Sequence, residues 1–391
     1  MRFVHTSDWQ IGAPFARIDD LHKRSLVRQA RVDVIDRIGA VARETGAAFV
    51  LVAGDLFDSP SVDKANVAAA CSALGRIGVP VYAIPGNHDH GGPGSVWYQE
   101  FFRREQAALA PNLTILTEPA PCVTDSAVIL PCPVSRRSLV GDPTEWLRSP
   151  GTYAPLPTDR PRLVLAHGST QTFGAEGDDE DDDAYPAGMI ALDRIPEAEV
   201  DYVALGDWHG TMQVGAKAWY AGTPEADRFP KTEAYDAGNV LLVDVERNRA
   251  PVVEKIHTGR FSWQVLSFDL ADDSALADLE ARLASLVGQR ANEDLLHLIL
   301  SGTVGLEAST RLDEIEESLR ARLLRLKLDN LTVVAPTEEE TQALTESAQD
   351  PLIARVAAQL VQQAGGDGEP AEIARAALRE LHTVWKQARA S

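Results

Sequence analysis

The sequence predicts an α/β fold: a largely parallel sheet covered by helices, followed by a smaller α/β and helical segment. Three observations predict it. Short apolar runs without alternation, such as "FVLVAGD" ending at Asp55, suit strands buried on both faces. Helical patterns lie between these runs, and alternation of strand and helix implies parallel pairing. Past residue 260 the pattern restarts with shorter units.

In chain order, "RFVHTSD" is a strand that ends at Asp8. Apolar residues recur at Val27, Val34, Ile38 and Val41, predicting a helix over Arg24–Thr45 that Gly46 stops. "FVLVAGD" follows, and "VPVYAIPGNHD" delivers Asn87, His88 and Asp89. "PRLVLAHG" delivers His167, and "VDYVALGDWHG" delivers Asp207 and His209. "VLLVDVER" (240–247) and "VVEKIHTG" (252–259) are late strands of the same domain. The strand "SWQVLSFDL", a helix in "DSALADLEARLASLV", the strand "HLILSGTVG", a helix in "RLDEIEESLRARLLRLK" and the strand "NLTVVAP" make a β-α-β-α-β unit, expected to be ferredoxin-like. From Glu338 onward the chain reads as helical, with a turn at "GGDGEP" (365–370). The expected domains are therefore 1–260, a cap over 261–337 and a helical segment over 338–391.

With 45% apolar and 24% charged residues the composition is that of a globular protein, and no apolar run is long enough for a membrane helix. The N-terminus enters a strand with no signal-like stretch, and three cysteines without a C-x-x-C pair fit a reducing cytoplasm. The net charge of −21 argues against broad coating of nucleic acid. It leaves room for a nuclease whose bound cations and a small basic patch hold the phosphates. Part of the excess is local: "EGDDEDDD" (176–183) places seven acidic side chains in eight positions and reads as a solvated loop.

In parallel sheets ligands bind off the carboxyl ends of the strands. All five polar clusters sit there, so they can converge although they span 200 residues. A mix of carboxylate, amide and imidazole suits two divalent ions bridged by one carboxylate. Any one cluster occurs often by chance; five in this order do not.

The order of motifs resembles that of the binuclear metallophosphoesterases. Within that superfamily "HTSDWQIG", "AGDLFD", "IPGNHD", "LAHGS" and "LGDWHG" followed by "YAGTPEADRF" resemble the SbcD-type DNA repair nucleases, which work with an SMC-like ATPase. The resemblance covers roughly residues 1–260 and implies a calcineurin-like fold, a two-layered β-sheet core flanked by helices. It also implies a DNA substrate and, as in that family, a homodimer.

Carried over residue by residue, it implies one metal held by Asp8, Gln10, Asp55 and His209 and a second held by Asp55, Asn87, His167 and Asp207. His88 would act on the leaving oxygen rather than bind metal, and Asp89 would orient it. Gln10 and Asp207 stand where the SbcD pattern has histidines. Both changes move the site toward oxygen donors, which favours two Mn2+ per chain, or Mg2+, over zinc. They also resemble a bacterial subgroup of manganese-dependent DNA endonucleases. The expected activity is therefore endonucleolytic cleavage of single-stranded or flapped DNA. The alternatives are an end-dependent exonuclease, a small-nucleotide phosphodiesterase, or a silent partner of an ATPase or helicase.

Other polar residues are given structural readings. His5 is a satisfied interior residue, Asp58 and His90 shape loops, and His22, His257, His297 and His382 are structural or surface. Trp9 and Trp208 pack behind the donors. "SRR" (135–137) and Arg228 with Lys231 are candidate phosphate contacts, with solvated surface as the default.

Overall fold

The computed structural model describes residues 1–136, 141–170, 189–232, 235–287, 291–346, 350–366 and 368–390, in two compact units, Met1–Phe261 and Ser262–Ser391. The acidic run 176–183 and Arg137 lie outside the described residues.

The first unit holds two six-stranded sheets. One has the order β12 (Val252–His257), β11 (Asn239–Asp244), β1 (Arg2–Thr6), β2 (Val50–Val52), β3 (Val81–Ala83), β4 (Leu113–Ile115). The other runs β5 (Cys122–Val123), β6 (Val128–Cys132), β7 (Arg162–His167), β8 (Tyr202–Gly206), β10 (Ala218–Tyr220), β9 (Met212–Gln213). The centres are parallel, as the alternation of elements requires, while β11, β12, β5 and β9 pair antiparallel at the edges.

Side-chain alternation explains why the runs are apolar throughout. Phe49, Leu51 and Ala53 pack with Leu163, Leu165, Tyr202 and Ala204 between the sheets. Val50 and Val52 face the other way, toward Ile35 and Ile38 of α1 (Leu21–Glu44), Val67 and Leu74 of α2 (Lys64–Gly75) and Phe102 of α3 (Glu100–Leu109). In the second sheet Val164, Val203 and Leu205 form a third buried layer with Leu147 and Ile190. Helix α1 starts three residues earlier than the apolar spacing predicts because Asp20 caps it, accepting from the backbone N–H groups of His22 and Lys23.

In the second unit β13 (Ser262–Leu270), β14 (Asp294–Val304) and β15 (Arg325–Asn330) alternate with α4 (Ala275–Leu286) and α5 (Leu306–Arg322). The order is the expected β-α-β-α-β, but the ferredoxin-like arrangement is corrected: β13–β14, β14–β15 and the pairing of β14 with the short β16 (Val333–Val334) are all parallel. Helical crossovers join β13 to β14 and β14 to β15 and return the chain in the same direction, and β16 continues the line of β15 along β14; a ferredoxin-like unit needs antiparallel neighbours. Helix α6 (Glu338–Thr345) carries a capping box between Thr337 and Glu340. It is followed by α7 (Pro351–Ala364) and α8 (Glu369–Ala390), which with Leu306 and Leu344 bury Ala357, Leu378 and Trp385. Among the described residues no helix is long and apolar enough to cross a membrane.

Candidate metal centre

Four of the predicted donors break sharply from extended backbone where their strands end. Asp8 (φ 53°), Gln10 (φ 42°), Asp55 (φ 53°) and Asp207 (φ 103°) all have positive φ. Such conformations cost about 1–3 kcal/mol each and persist only where the surroundings over-determine them. Here the loops after β1 and β2 brace each other: Asp8 N–H donates to Gly54 O (3.1 Å) and Gln10 N–H to Asp55 O (2.9 Å).

A second brace comes from α1. Arg31, buried to 1% exposure, donates Nε to Trp9 O (2.7 Å), Nη2 to Asp8 O and Thr223 Oγ1 (both 3.0 Å) and Nη1 to Glu225 O (3.0 Å). Sequence reasoning missed Arg31, because a lone arginine in a mixed helical pattern reads as a solvated face.

The donors gather in two groups. In one, His209 Nε2 lies 3.2 Å from the Gln10 amide nitrogen and 4.0 Å from Asp8 Oδ1. In the other, His167 Nε2 lies 2.9 Å from Asn87 Oδ1, 3.5 Å from Asp55 Oδ2 and 3.7 Å from Asp207 Oδ1. Asp8, Asp55 and His167 each present an atom within 4.8 Å of the other two. The Asp207 N–H donates to both Asp8 carboxylate oxygens (3.2 Å each), tying the groups together. Ser169 Oγ donates to Asp207 Oδ2 (2.9 Å) and fixes that carboxylate. Asp8, Gln10, Asp55, His167 and His209 are buried; Asn87, His88 and Asp207 are half-buried and form the open side.

Each imidazole commits its other nitrogen elsewhere. His167 Nδ1 donates to Ala53 O (2.8 Å), and His209 Nδ1 donates to Asp227 Oδ2 (2.8 Å). Both Nε2 atoms therefore face the carboxylates, the arrangement a metal-ligating histidine needs. Asp227 lies within "YAGTPEADRF", and that motif context is the one sequence signal for it.

Burial alone would lower the His167 pKa, but Asp55, Asp8 and Asp207 outweigh it and raise the pKa to about 9. Three carboxylates converging on one imidazole carry more negative charge than a largely buried site tolerates uncompensated. Carboxylate, amide and imidazole donors at these positions fit divalent cations, which would supply that compensation.

His88 stands beside the groups. Its backbone N–H donates to Asp55 Oδ1 (2.9 Å), and its Nδ1 donates to Asp58 O (2.9 Å), with the Asp58 carboxylate 4.0 Å away. Burial opposes the protonated form, but Asp55 and Asp58 raise the His88 pKa above its ordinary value. Asp58, expected only to shape its loop, is thus the imidazole's neighbour.

Asp89 is fully buried and accepts from Gly86 N–H (2.7 Å) and Phe57 N–H (3.0 Å), tying one loop to the next rather than orienting His88. Burial and Asp55 raise its pKa to about 7. Gly86 is close-packed: a Cβ there would sit 2.1 Å from Asp55 Oδ1 and 2.5 Å from Asp55 N.

The remaining polar residues have other partners. His5, between the sheets, contacts Tyr202 OH (3.0 Å) and Leu205 O (3.2 Å), and burial lowers its pKa to about 3. Trp9 is buried and donates to Thr6 Oγ1 (2.9 Å). His257 contacts Asn239, His297 contacts Asp329, and His382 packs on Trp385. Of the candidate phosphate contacts, Arg136 and Lys231 are exposed and Arg228 lies against Asp227.

A family model described as calcineurin-like phosphoesterase matches residues 1–211, more than half of the 391-residue chain. The SbcD subunit of the SbcCD nuclease of Escherichia coli (strain K12) is 26% identical over 310 residues, covering 70% of this chain and 73% of that protein. The uncharacterized metallophosphoesterase YhaO of Bacillus subtilis (strain 168) is 25% identical over 340 residues, covering 82% and 77%. A crystal structure of TT1561 of Thermus thermophilus overlaps 66% of this chain and 98% of its own, at 13% identity and a TM-score of 0.38, too low to carry weight. Five strand-end motifs that converge as two donor groups, on two packed sheets and within a matched family model, make this chain a member of the calcineurin-like phosphoesterases and a distant relative of the SbcD nuclease.

Proposed function

We propose that the protein is a two-metal, manganese-dependent DNA nuclease that hydrolyses phosphodiester bonds within single-stranded or flapped DNA during repair. The observation that supports it most is the gathering of donors into two groups around Asp55, with one imidazole, His88, kept out of both. Asp8, Gln10, Asp55 and His209 would hold one ion, and Asp55, Asn87, His167 and Asp207 the other. When bound, two such cations supply Lewis-acid charge to the phosphate and acidify the water that attacks it. The oxygen donors of Gln10 and Asp207 favour Mn2+ or Mg2+ over zinc.

The chain's own residues do the rest. Asp55, locked by the His88 N–H and by its left-handed backbone, holds its carboxylate 3.5 Å from His167 Nε2 and within 4.8 Å of an Asp8 oxygen. His88, with Nδ1 committed to Asp58 O, keeps Nε2 to carry a proton to the leaving oxygen of the ester. The similarity to a protein named as part of a nuclease supports DNA as substrate. An SMC-like ATPase or helicase partner, a homodimer and a cytoplasmic setting belong to the same reading. The net charge of −21 favours a second reading, a phosphodiesterase of small nucleotides, since an acidic surface repels a long phosphate backbone.

The test is cleavage of circular single-stranded DNA with Mn2+, Mg2+, Ca2+ or Zn2+ supplied separately and His88→Ala as control. The expected result is Mn2+-dependent cutting that His88→Ala lowers on the order of 10²-fold while both ions stay bound. A surviving circle with degraded linear duplex would mean an end-dependent exonuclease. Turnover of a dinucleotide with no DNA cleaved would move the second reading ahead.

A further inference from the structure

The two donor groups differ in what stands behind their histidines. The Nδ1–H of His167 is received by a neutral backbone carbonyl, Ala53 O. That of His209 is received by a carboxylate, Asp227. The Asp227 side chain is 9% exposed and firmly held: Tyr235 OH donates to Oδ1 (3.0 Å), and Arg228 donates Nη2 to Oδ2 (3.2 Å) and Nε to Oδ1 (3.3 Å).

Arg228 Nη2 also lies 3.1 Å from His209 Nδ1. A guanidinium can only donate, so the ring nitrogen can accept from Arg228 or donate to Asp227, not both. Asp227 decides between them. Its Oδ2 is the nearer partner, 2.8 Å from Nδ1 against 3.1 Å for Arg228 Nη2, and its two oxygens already accept from Tyr235 and Arg228. His209 therefore carries its proton on Nδ1 and offers a lone pair at Nε2, which is why the Gln10 amide N–H can approach it at 3.2 Å. A half-turn of that amide presents its oxygen to the same space.

Gln10 gives this group a neutral amide where a stronger donor could stand. We propose that Asp227 is the positioning residue of the Gln10–His209 ion site, fixing the His209 tautomer and making Nε2 basic enough to offset the weak amide. The inference rests on the two-metal reading above. It makes the ion sites unequal in a defined way, since losing such an outer carboxylate costs about 10–100-fold in metal affinity.

The experiment is titration of metal-stripped protein with Mn2+, read by calorimetry and by loss of the free-ion signal in electron paramagnetic resonance. Wild type should take up two Mn2+ per chain. Asp227→Asn should bind one at wild-type affinity and the other about 10–100-fold more weakly. Tyr235→Phe, which removes one bond to Asp227 and nothing else, should weaken the same ion by a smaller factor. Asp227→Asn should add nothing to the loss caused by His209→Ala.

Wild-type affinities for both ions in Asp227→Asn and Tyr235→Phe would overturn the proposal and leave the two-metal reading standing. Equal loss of both ions would also overturn it, because Asp227 would then be supporting the fold and not one site. If Asp227→Asn does not fold, Tyr235→Phe decides alone. No uptake by wild type would bring down the two-metal reading itself.

Discussion

Replacing Arg31 with methionine keeps a long, buried aliphatic side chain and removes every donor. Four bonds disappear, to Trp9 O, Asp8 O, Glu225 O and Thr223 Oγ1. Trp9 O and Asp8 O lose their donor in a dry interior, while Glu225 O keeps the Thr223 hydroxyl (2.9 Å). An unsatisfied buried acceptor costs about 1–3 kcal/mol, so the two together cost about 2–6 kcal/mol. Whole domains are stable by only about 5–15 kcal/mol, which makes even the lower figure severe.

The loop has one way to relieve that cost. Asp8 (φ 53°) and Gln10 (φ 42°) hold strained backbone that Arg31 helps to impose, and they can relax once it is gone. Relaxation lowers the penalty but carries two donors out of place. Arg31→Met should therefore lose stability, metal affinity, or both. The assay is urea denaturation of metal-free wild type and variant, with Mn2+ binding measured on the same samples. The expected loss is at least about 2 kcal/mol, or a smaller loss with Mn2+ affinity down tenfold or more. Arg31→Lys should fall between, since one ammonium cannot reach four acceptors on two segments. A loss under about 1 kcal/mol with unchanged Mn2+ affinity would refute the reasoning.

Three further outcomes are expected. Gly86→Ala forces a Cβ to 2.1 Å from Asp55 Oδ1, so elemental analysis should find the variant folded but poor in bound metal; full metal content would show that the loop yields. Asp55→Ala should empty both sites if both ions share its carboxylate, as proposed, and retention of either ion at wild-type affinity would show that it is not the bridge.

The third outcome concerns pH. His167 has a folded pKa of about 9, raised from an ordinary 6.5 by Asp55, Asp8 and Asp207 against the opposing effect of burial. The stabilisation it gives the metal-free protein is fully present below about pH 6.5 and is lost as pH rises through about 9, a swing of about 3 kcal/mol. Mn2+ must displace that proton, so binding at pH 7 should release about one proton. Calorimetric enthalpies that do not vary with the ionisation heat of the buffer would contradict this.

The candidate donors are legible in the sequence because each follows a local rule. An apolar run of a few residues marks a doubly buried strand, and the polar residue after it marks the end where parallel sheets bind ligands. Asp8, Asp55, Asn87, His167, Asp207 and His209 each follow such a run within a few positions, so no contact across the chain had to be known. The antiparallel edges were less legible: nothing local to β11 says that it joins β1 from more than 230 residues away.

Tertiary structure alone decided the residues that stand behind the donors. Arg31 reads as a surface arginine until the fold sets it beside Glu225 O, 194 residues on, and Asp227 reads as loop chemistry until it meets His209. Asp58 and Asp89 exchanged expected parts for the same cause, because which carboxylate faces the His88 imidazole depends on how two loops fold over each other. Residue type and apolar spacing determine which groups end a strand. Partner, tautomer and charge are set by distances of about 3 Å between segments far apart in the chain, and only packing fixes those.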